Sequence, residues 1–378
     1  MLIPNQCYIE LNQKCNLTCA HCFANGSPDA SPELTYEDVV SIYKQLEKLP
    51  PVYVNLSGGE PLLNNDFFKI VEFAANYPYA TCILTNGIGW DKNTIDELAD
   101  RVPNKNVRIQ ISMDGPYEVM AKQRNISKEQ YDKIIDNAKY FNECGFSVSA
   151  LTVIDKVTAP HAITTAHKML EDNIFRAVQL VPLFLTGRAL ENLEMLEDFW
   201  ESWSEIVVRV TKIIKHNRWG NLSNRINIGF FTLYELFVPL EDNDMIDDVL
   251  NVWGLDIENL SNFRHQIRRP FYCECGQSEL TISSEMKLFP CVASIRTGLT
   301  CGSLRKSAIE DIWKNSTVLN YFREDAVSVR LNEPCVSCRL KDFCGGGCRL
   351  VPLSMNGDIN GLDIRCPYVI RFINSQNN

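Results

Sequence analysis

The sequence predicts an α/β protein: a partial, TIM-like (β/α)6 barrel over residues 1–190, a helical bridge over 191–270, and a Cys-rich domain over 271–378. Three observations carry this. Short β-rich runs alternate with helical patterns through the first half, the signature of parallel strands joined by crossover helices. Residues 190–270 switch to helical spacing of Leu, Phe, Trp, Ile and Val. From about Tyr272 the chain turns rich in Cys and Gly, with one clear helix, Ala308 to Lys314 behind Ser307 and Glu310, and too little apolar surface to hold itself without metal or cross-links.

The six strands are Cys7 to Leu11, Val52 to Ser57, Ala80 to Thr85, Val107 to Ser112, Ser147 to Val153 and Ala177 to Val181. The intervening helices are Tyr36 to Lys48, Asp66 to Asn76, Thr94 to Val102, Tyr131 to Cys144 and Thr158 to Asp172. Thr35 with Asp38, and Ser127 with Gln130, have the spacing of capping boxes. Right-handed crossovers between parallel strands close toward a barrel, whose chemistry sits at the strands' C-terminal ends. In the bridge, Trp200, Trp203 and Trp219 read as packing residues, and INIGFF as a short strand.

Composition narrows the function. Hydrophobic residues make up 45% and charged ones 22%, as in ordinary folded proteins, and the net charge of −10 without like-charge blocks argues against nucleic acid as partner. No signal peptide and no run of about 18 apolar residues is visible, so a cytoplasmic protein with no membrane partner is expected. There, thiols stay reduced, and clustered cysteines are metal ligands or catalytic groups rather than disulfides. Of 15 cysteines, Cys7, Cys82, Cys144 and Cys301 stand apart and read as small buried apolar residues.

The first cysteine group, Cys15, Cys19 and Cys22 with Phe23 behind, follows the first strand in the loop NQKCNLTCAHCF. Three thiolates can hold three corners of an iron-sulfur cube, which usually takes four, leaving one iron open. The alternative is zinc, whose only local fourth ligand is His21. One β/α unit later, Gly58, Gly59 and Glu60 follow the second strand, where glycines allow close backbone approach and a carboxylate can receive an ammonium group. The Cys loop and its place resemble the radical SAM superfamily. By that resemblance, Glu60 and its glycines bind the methionine amino group of S-adenosylmethionine, and Ser112 and Asp114 contact the ribose or its surroundings. Asn86 is placed similarly, and Arg124 stands near the methionine carboxylate; for Asn86, Asp114 and Arg124 the alternative is a turn cap or surface salt bridge.

The second group is Cys335, Cys338, Cys344 and Cys348, then Cys366, with Cys273, Cys275 and Cys291 upstream and Gly345 to Gly347 permitting tight turns. A zinc-bearing tail is again the alternative. This region resembles the SPASM/twitch extension of radical SAM enzymes, which implies two auxiliary 4Fe-4S clusters, three clusters in all. The resemblance assigns Cys275, Cys291 and Cys348 to the inner auxiliary cluster, and Cys335, Cys338, Cys344 and Cys366 to the outer. The inner cluster's fourth ligand is open: Arg269 and Pro270 stand where relatives carry a cysteine, Cys273 is the nearest substitute, and a cluster with a free iron is the other option. Met286 replaces a glycine common in the hairpin before Pro290 and Cys291.

The resemblance implies a 5'-deoxyadenosyl radical that abstracts hydrogen, with auxiliary clusters handling the electron left on the substrate. The expected substrate is a ribosomally made precursor peptide or protein, giving a crosslink or an oxidised side chain, with an external low-potential electron donor. The first strand lies so near the N-terminus that peptide recognition is expected from the barrel, the bridge or a separate protein. Val292 stands where sulfatase-maturating relatives carry Asp, which counts against that subfamily. The competing readings are modification of a small cofactor or tetrapyrrole side chain, and a non-enzymatic electron carrier or zinc-organised module. No catalytic acid or base is legible.

Overall fold

The computed structural model describes residues 3–255, 273, 275–325 and 331–376. All six expected strands are present: β1 (Gln6–Glu10), β2 (Tyr53–Ser57), β3 (Ala80–Thr85), β4 (Val107–Ser112), β5 (Ser147–Ile154) and β6 (Ala177–Pro182). They pair in parallel in chain order. The crossovers are α1 (Tyr36–Leu46), α2 (Phe67–Ala74), α3 (Lys92–Arg101), α4 (Tyr117–Arg124), α5 (Lys128–Glu143) and α6 (Ala159–Glu171). Both expected capping boxes form, and Asp91 with Thr94 makes a third. Helix α4 was not expected; its sequence, YEVMAKQR, carries no clean amphipathic stripe.

The bridge contributes more than helix. Its α7 (Phe199–Lys215) leads to β7 (Ile226–Ile228), which extends the parallel sheet beyond β6, and then to α8 (Tyr234–Glu241). Trp203 donates its indole NH to the Glu235 carbonyl at 2.7 Å, and Trp219 packs on His167 of α6. Trp203 thus ties two helices of the bridge to each other, and Trp219 packs the bridge on the barrel.

At the opposite edge, β8 (Glu279–Ile282) pairs in parallel with β1, then β9 (Lys287–Phe289) and β10 (Gly302–Ser303) add antiparallel strands. The ten strands run β10-β9-β8-β1-β2-β3-β4-β5-β6-β7, so the Cys-rich region shares one sheet with the barrel strands. Cys7 and Ile9 of β1 are wholly buried, and β8 covers an edge that would otherwise leave their backbone groups unpaired. In the β8–β9 turn, Met286 takes a left-handed backbone (φ 59°), which explains why glycine suits this position.

Two smaller expectations are corrected. The helix after Ser307 spans Ile309–Asn315, and its end is satisfied from outside: the Ile309 NH donates to the Gln45 side chain of α1 at 2.9 Å. Of the four isolated cysteines only Cys7 is fully buried, while Cys82, Cys144 and Cys301 are half-buried. Arg269 and Pro270 lie outside the described residues.

Candidate active site

The Cys15–Cys22 loop leaves the C-terminal end of β1 and is held by backbone from three directions. The Cys15 NH donates to Ser27 O at 3.0 Å, the Gly59 NH to Asn12 O at 2.9 Å, and the Glu60 NH to Lys14 O at 2.8 Å. The close approach that Gly58 and Gly59 permit is to this loop: a Cβ on Gly58 would sit 2.4 Å from Asn12 O, and one on Gly59 2.3 Å from Lys14 O. Gly59→Ala is therefore expected to displace the loop and cost about 3 kcal/mol, read as a lower urea midpoint with unchanged m-value.

Cys15 and Cys19 are buried and Cys22 is half-buried. Burial pushes the Cys15 thiol up to about 12 and raises Cys19. Two buried side chains point donors at them: the Asn86 amide lies 3.8 Å from Cys15 Sγ and the Arg124 guanidinium 3.9 Å from Cys19 Sγ. Donors around sulfur favour the thiolate that a metal requires. Asn86 also donates to Asn16 Oδ1 at 2.7 Å.

Glu60 is wholly buried. Its carboxylate accepts the Thr85 hydroxyl at 2.6 Å and the Asn86 NH at 2.8 Å, tying the ends of β2 and β3 together. Burial pushes its pKa up to about 7 despite these donors. A carboxyl raised on folding stabilises most below its unfolded pKa, and that stability is lost as pH rises through about 7. In the metal-free chain, Glu60→Gln should remove about 3 kcal/mol of difference in unfolding free energy between about pH 4 and about pH 8; an unchanged pH slope contradicts this.

Asp114 and Arg124 meet each other. Arg124 Nε donates to Asp114 Oδ2 at 2.6 Å, with His21 Nε2 at 3.7 Å from the same oxygen and the Val153 NH at 3.0 Å from the other. The pair is buried, not a surface salt bridge. Burial alone would raise Asp114, yet the Arg124 charge and the attached donors outweigh it and hold it below the usual carboxylate range. Ser112 ends β4 half-buried, and Phe23 lies half-buried with its ring edge-on to Phe184.

Sequence reading missed a latch after β6. The Gly187 position lies so close to the loop that a Cβ would meet Cys22 O at 2.4 Å. Beside it, Arg188 donates its backbone NH to Cys22 O and its side chain to Cys19 O and Gly26 O, at 2.9, 3.0 and 2.9 Å. The run Thr186-Gly187-Arg188 at a strand end was the available signal.

The C-terminal cysteines form two sets. The Cys275 thiol lies within hydrogen-bond reach of Cys273 and Cys291, and Cys348 borders the same small apolar cluster. Cys273 thus lies beside Cys275, Cys291 and Cys348. Cys335, Cys338, Cys344 and Cys366 line one small cavity, together with Tyr234. Gly345, Gly346 and Gly347 all have positive φ, and the turn they make lets the Gly347 NH donate to Cys344 Sγ at 3.2 Å. The Leu340 NH donates to Cys338 Sγ at 3.4 Å. Four sulfurs around a cavity, two with amide donors, suit an iron-sulfur cluster.

Between the sets lies a buried ionic network that the sequence did not announce. Arg365 pairs with Asp363 at 3.0 Å and Glu235 at 3.2 Å. Asp363 also accepts the Tyr234 hydroxyl at 3.1 Å and the Cys348 NH at 2.9 Å. It thereby connects α8, the outer cavity and an inner-set cysteine.

Comparison with known proteins agrees with this geometry. Residues 9–169 match the radical SAM superfamily model, and residues 273–339 match SPASM, described as an iron-sulfur cluster-binding domain. The chain is 24% identical to the PqqA peptide cyclase of Bradyrhizobium diazoefficiens, over 96% of this chain and 86% of that protein. It is 22% identical to the mycofactocin maturase MftC of Mycolicibacterium smegmatis, over 94% and 81%. Streptococcus suis SuiB bound to precursor peptide SuiA shares the fold, with a TM-score of 0.72, 20% identity, and coverage of 97% of this chain and 76% of that one. So does anSMEcpe with bound AdoMet and a peptide, at 0.63, 19%, and 99% of each chain. Residues 9–169 thus form a radical SAM domain and residues 273–339 lie in a SPASM domain, in an enzyme whose cofactors are S-adenosylmethionine, the 4Fe-4S cluster that binds it, and auxiliary clusters.

Proposed function

We propose that this enzyme modifies a ribosomally made peptide or protein, abstracting a hydrogen and leaving a crosslink or an oxidised side chain. The observation that carries the reading is the combination of a three-thiol loop at the strand C-termini with two further cysteine sets; its likeness to PqqA peptide cyclase and MftC over nearly the whole chain supports it. When bound, the first cluster supplies the electron that cleaves S-adenosylmethionine to a hydrogen-abstracting radical.

The chain's own residues then have definite tasks. Cys15, Cys19 and Cys22 hold the first cluster, Cys273, Cys275, Cys291 and Cys348 the inner auxiliary cluster, and Cys335, Cys338, Cys344 and Cys366 the outer. Gly58, Gly59 and Glu60, with Asn86, Ser112, Asp114, Arg124 and Phe23, bind S-adenosylmethionine. Within that group the Asp114–Arg124 pair fixes the guanidinium beside Cys19, and Glu60 locks the strand ends that present Asn86 to Cys15. Residues 1–190, 191–270 and 271–378 are the functional divisions. An external low-potential donor supplies electrons, and recognition of the peptide falls to the barrel, the bridge or a separate protein. No described helix is long and apolar enough to cross a membrane, and we place the enzyme in the cytoplasm.

The test is anaerobic reconstitution followed by assay for 5'-deoxyadenosine, and mass spectrometry of candidate peptides co-expressed with the enzyme. A peptide lighter by two hydrogens, or otherwise changed in a defined way, is expected. Unmodified peptides throughout, with 5'-deoxyadenosine still formed, would transfer the reading to a small cofactor or tetrapyrrole.

A further inference from the structure

Three aromatic rings run from the first cysteine loop toward the inner set. Phe23 directly follows Cys22. Its ring centroid is 5.8 Å from that of Phe184, edge-on, and Phe184 stacks on Phe231 at 4.0 Å with planes only 19° apart. Phe184 follows β6, Phe231 follows β7, and Phe184 also packs against the apolar cluster that contains Cys275 and borders Cys273, Cys291 and Cys348. The rings therefore occupy the C-terminal ends of the strands, where the fold places its chemistry.

The backbone beneath each ring is fixed. Cys22 O accepts the Arg188 NH, Leu183 O accepts from Arg365, and the Phe231 NH donates to Glu235 at 2.6 Å. Yet all three rings are only half-buried, whereas Trp203 and Tyr234 nearby are fully buried. The ionic groups around them are spoken for: Arg365 by Asp363 and Glu235, Arg124 by Asp114, Arg188 by backbone carbonyls. What remains presented is rigid hydrocarbon with π-faces. Phenylalanine lacks the phenol or indole that makes a side chain readily oxidised, so the run suits contact rather than electron relay.

We propose that Phe184 and Phe231 form a subsite that stacks an aromatic side chain of the substrate between the Cys15–Cys22 loop, where Phe23 serves S-adenosylmethionine, and the inner cysteine set. This rests on the peptide reading above. Offset and edge-on ring contacts favour an aromatic guest over an aliphatic one of similar area, and preorganised rings lose little entropy on binding.

The probes are N-acetyl-phenylalanine amide, N-acetyl-leucine amide and N-acetyl-serine amide, titrated by equilibrium dialysis into reconstituted enzyme loaded with S-adenosylmethionine. The phenylalanine amide should bind about tenfold more tightly than the serine amide, with leucine between. Phe184→Ala and Phe231→Ala should each erase most of that preference and Phe184→Leu only part, while iron content and S-adenosylmethionine affinity stay unchanged. Equal binding of the three amides, or loss of iron or S-adenosylmethionine in both alanine variants, overturns the subsite. A peptide modified at an aliphatic residue, with Phe184→Ala as active as the parent enzyme, sinks the subsite and spares the peptide reading. Retained ring selectivity with no modified peptide does the reverse.

Discussion

Cys15→Ala abolishes S-adenosylmethionine cleavage, lowering 5'-deoxyadenosine formation at least on the order of a thousandfold, and the reconstituted protein carries about four fewer irons per chain. The loop offers three thiols, and two cannot hold a cube whose remaining iron must stay open. The iron bound through the C-terminal cysteines remains, because Cys273 to Cys366 lie in two sets of their own. Comparison with Asn86→Ala makes the argument specific. That variant loses one donor at 3.8 Å from Cys15 Sγ and should fall only about 10- to 100-fold, the usual cost of removing a group that orients a ligand. Iron analysis with an anaerobic 5'-deoxyadenosine assay checks both; retention of full iron or of activity by Cys15→Ala would refute the assignment of the loop.

Arg365→Met is expected to be the most destabilising single change outside the cysteines, by about 3–5 kcal/mol, because it leaves two carboxylates, Asp363 and Glu235, buried and uncompensated. The Arg365 side chain is 1% exposed and the two acids 0%, so water cannot take over its role. The damage should extend to the cluster sites, since Asp363 also holds the Cys348 NH and the Tyr234 hydroxyl. Replacing Asp363 by Asn and Glu235 by Gln in the same chain should recover part of the loss, as removing a whole buried charge set costs less than breaking it. Anaerobic urea unfolding with iron per chain is the measurement; a single variant within about 1 kcal/mol of the parent would show that the network contributes little.

Much of the barrel was legible because its strands are short β-rich runs that alternate with helical patterns, and several of its helices carry capping boxes. Thr35 with Asp38 and Ser127 with Gln130 are local rules that tertiary structure did not override. Helix α4 was not legible, since YEVMAKQR lacks a one-sided apolar stripe; it buries Arg124 and Gln123 alongside Val119 and Met120. Strand β8 reads ELTI, and nothing in four residues says that they will cover β1 from 273 positions away in sequence. The Cys loop was legible for the opposite reason: its ligand spacing is wholly local.

The sequence by itself determined the α/β class, the thiols available to metal, and the three-cysteine loop with one corner left open, all set by period, spacing and residue type within short windows. Tertiary structure alone decided that the two glycines before Glu60 make room for the Cys loop, that Asp114 and Arg124 neutralise each other, and that Cys273 stands with Cys275, Cys291 and Cys348. It also brought Arg365 to Glu235 and Phe184 to Phe231. Those contacts depend on which buried groups find partners when distant segments close on one sheet, and pairing of buried charge, backbone clash and ring stacking are properties of distance in space rather than of order along the chain.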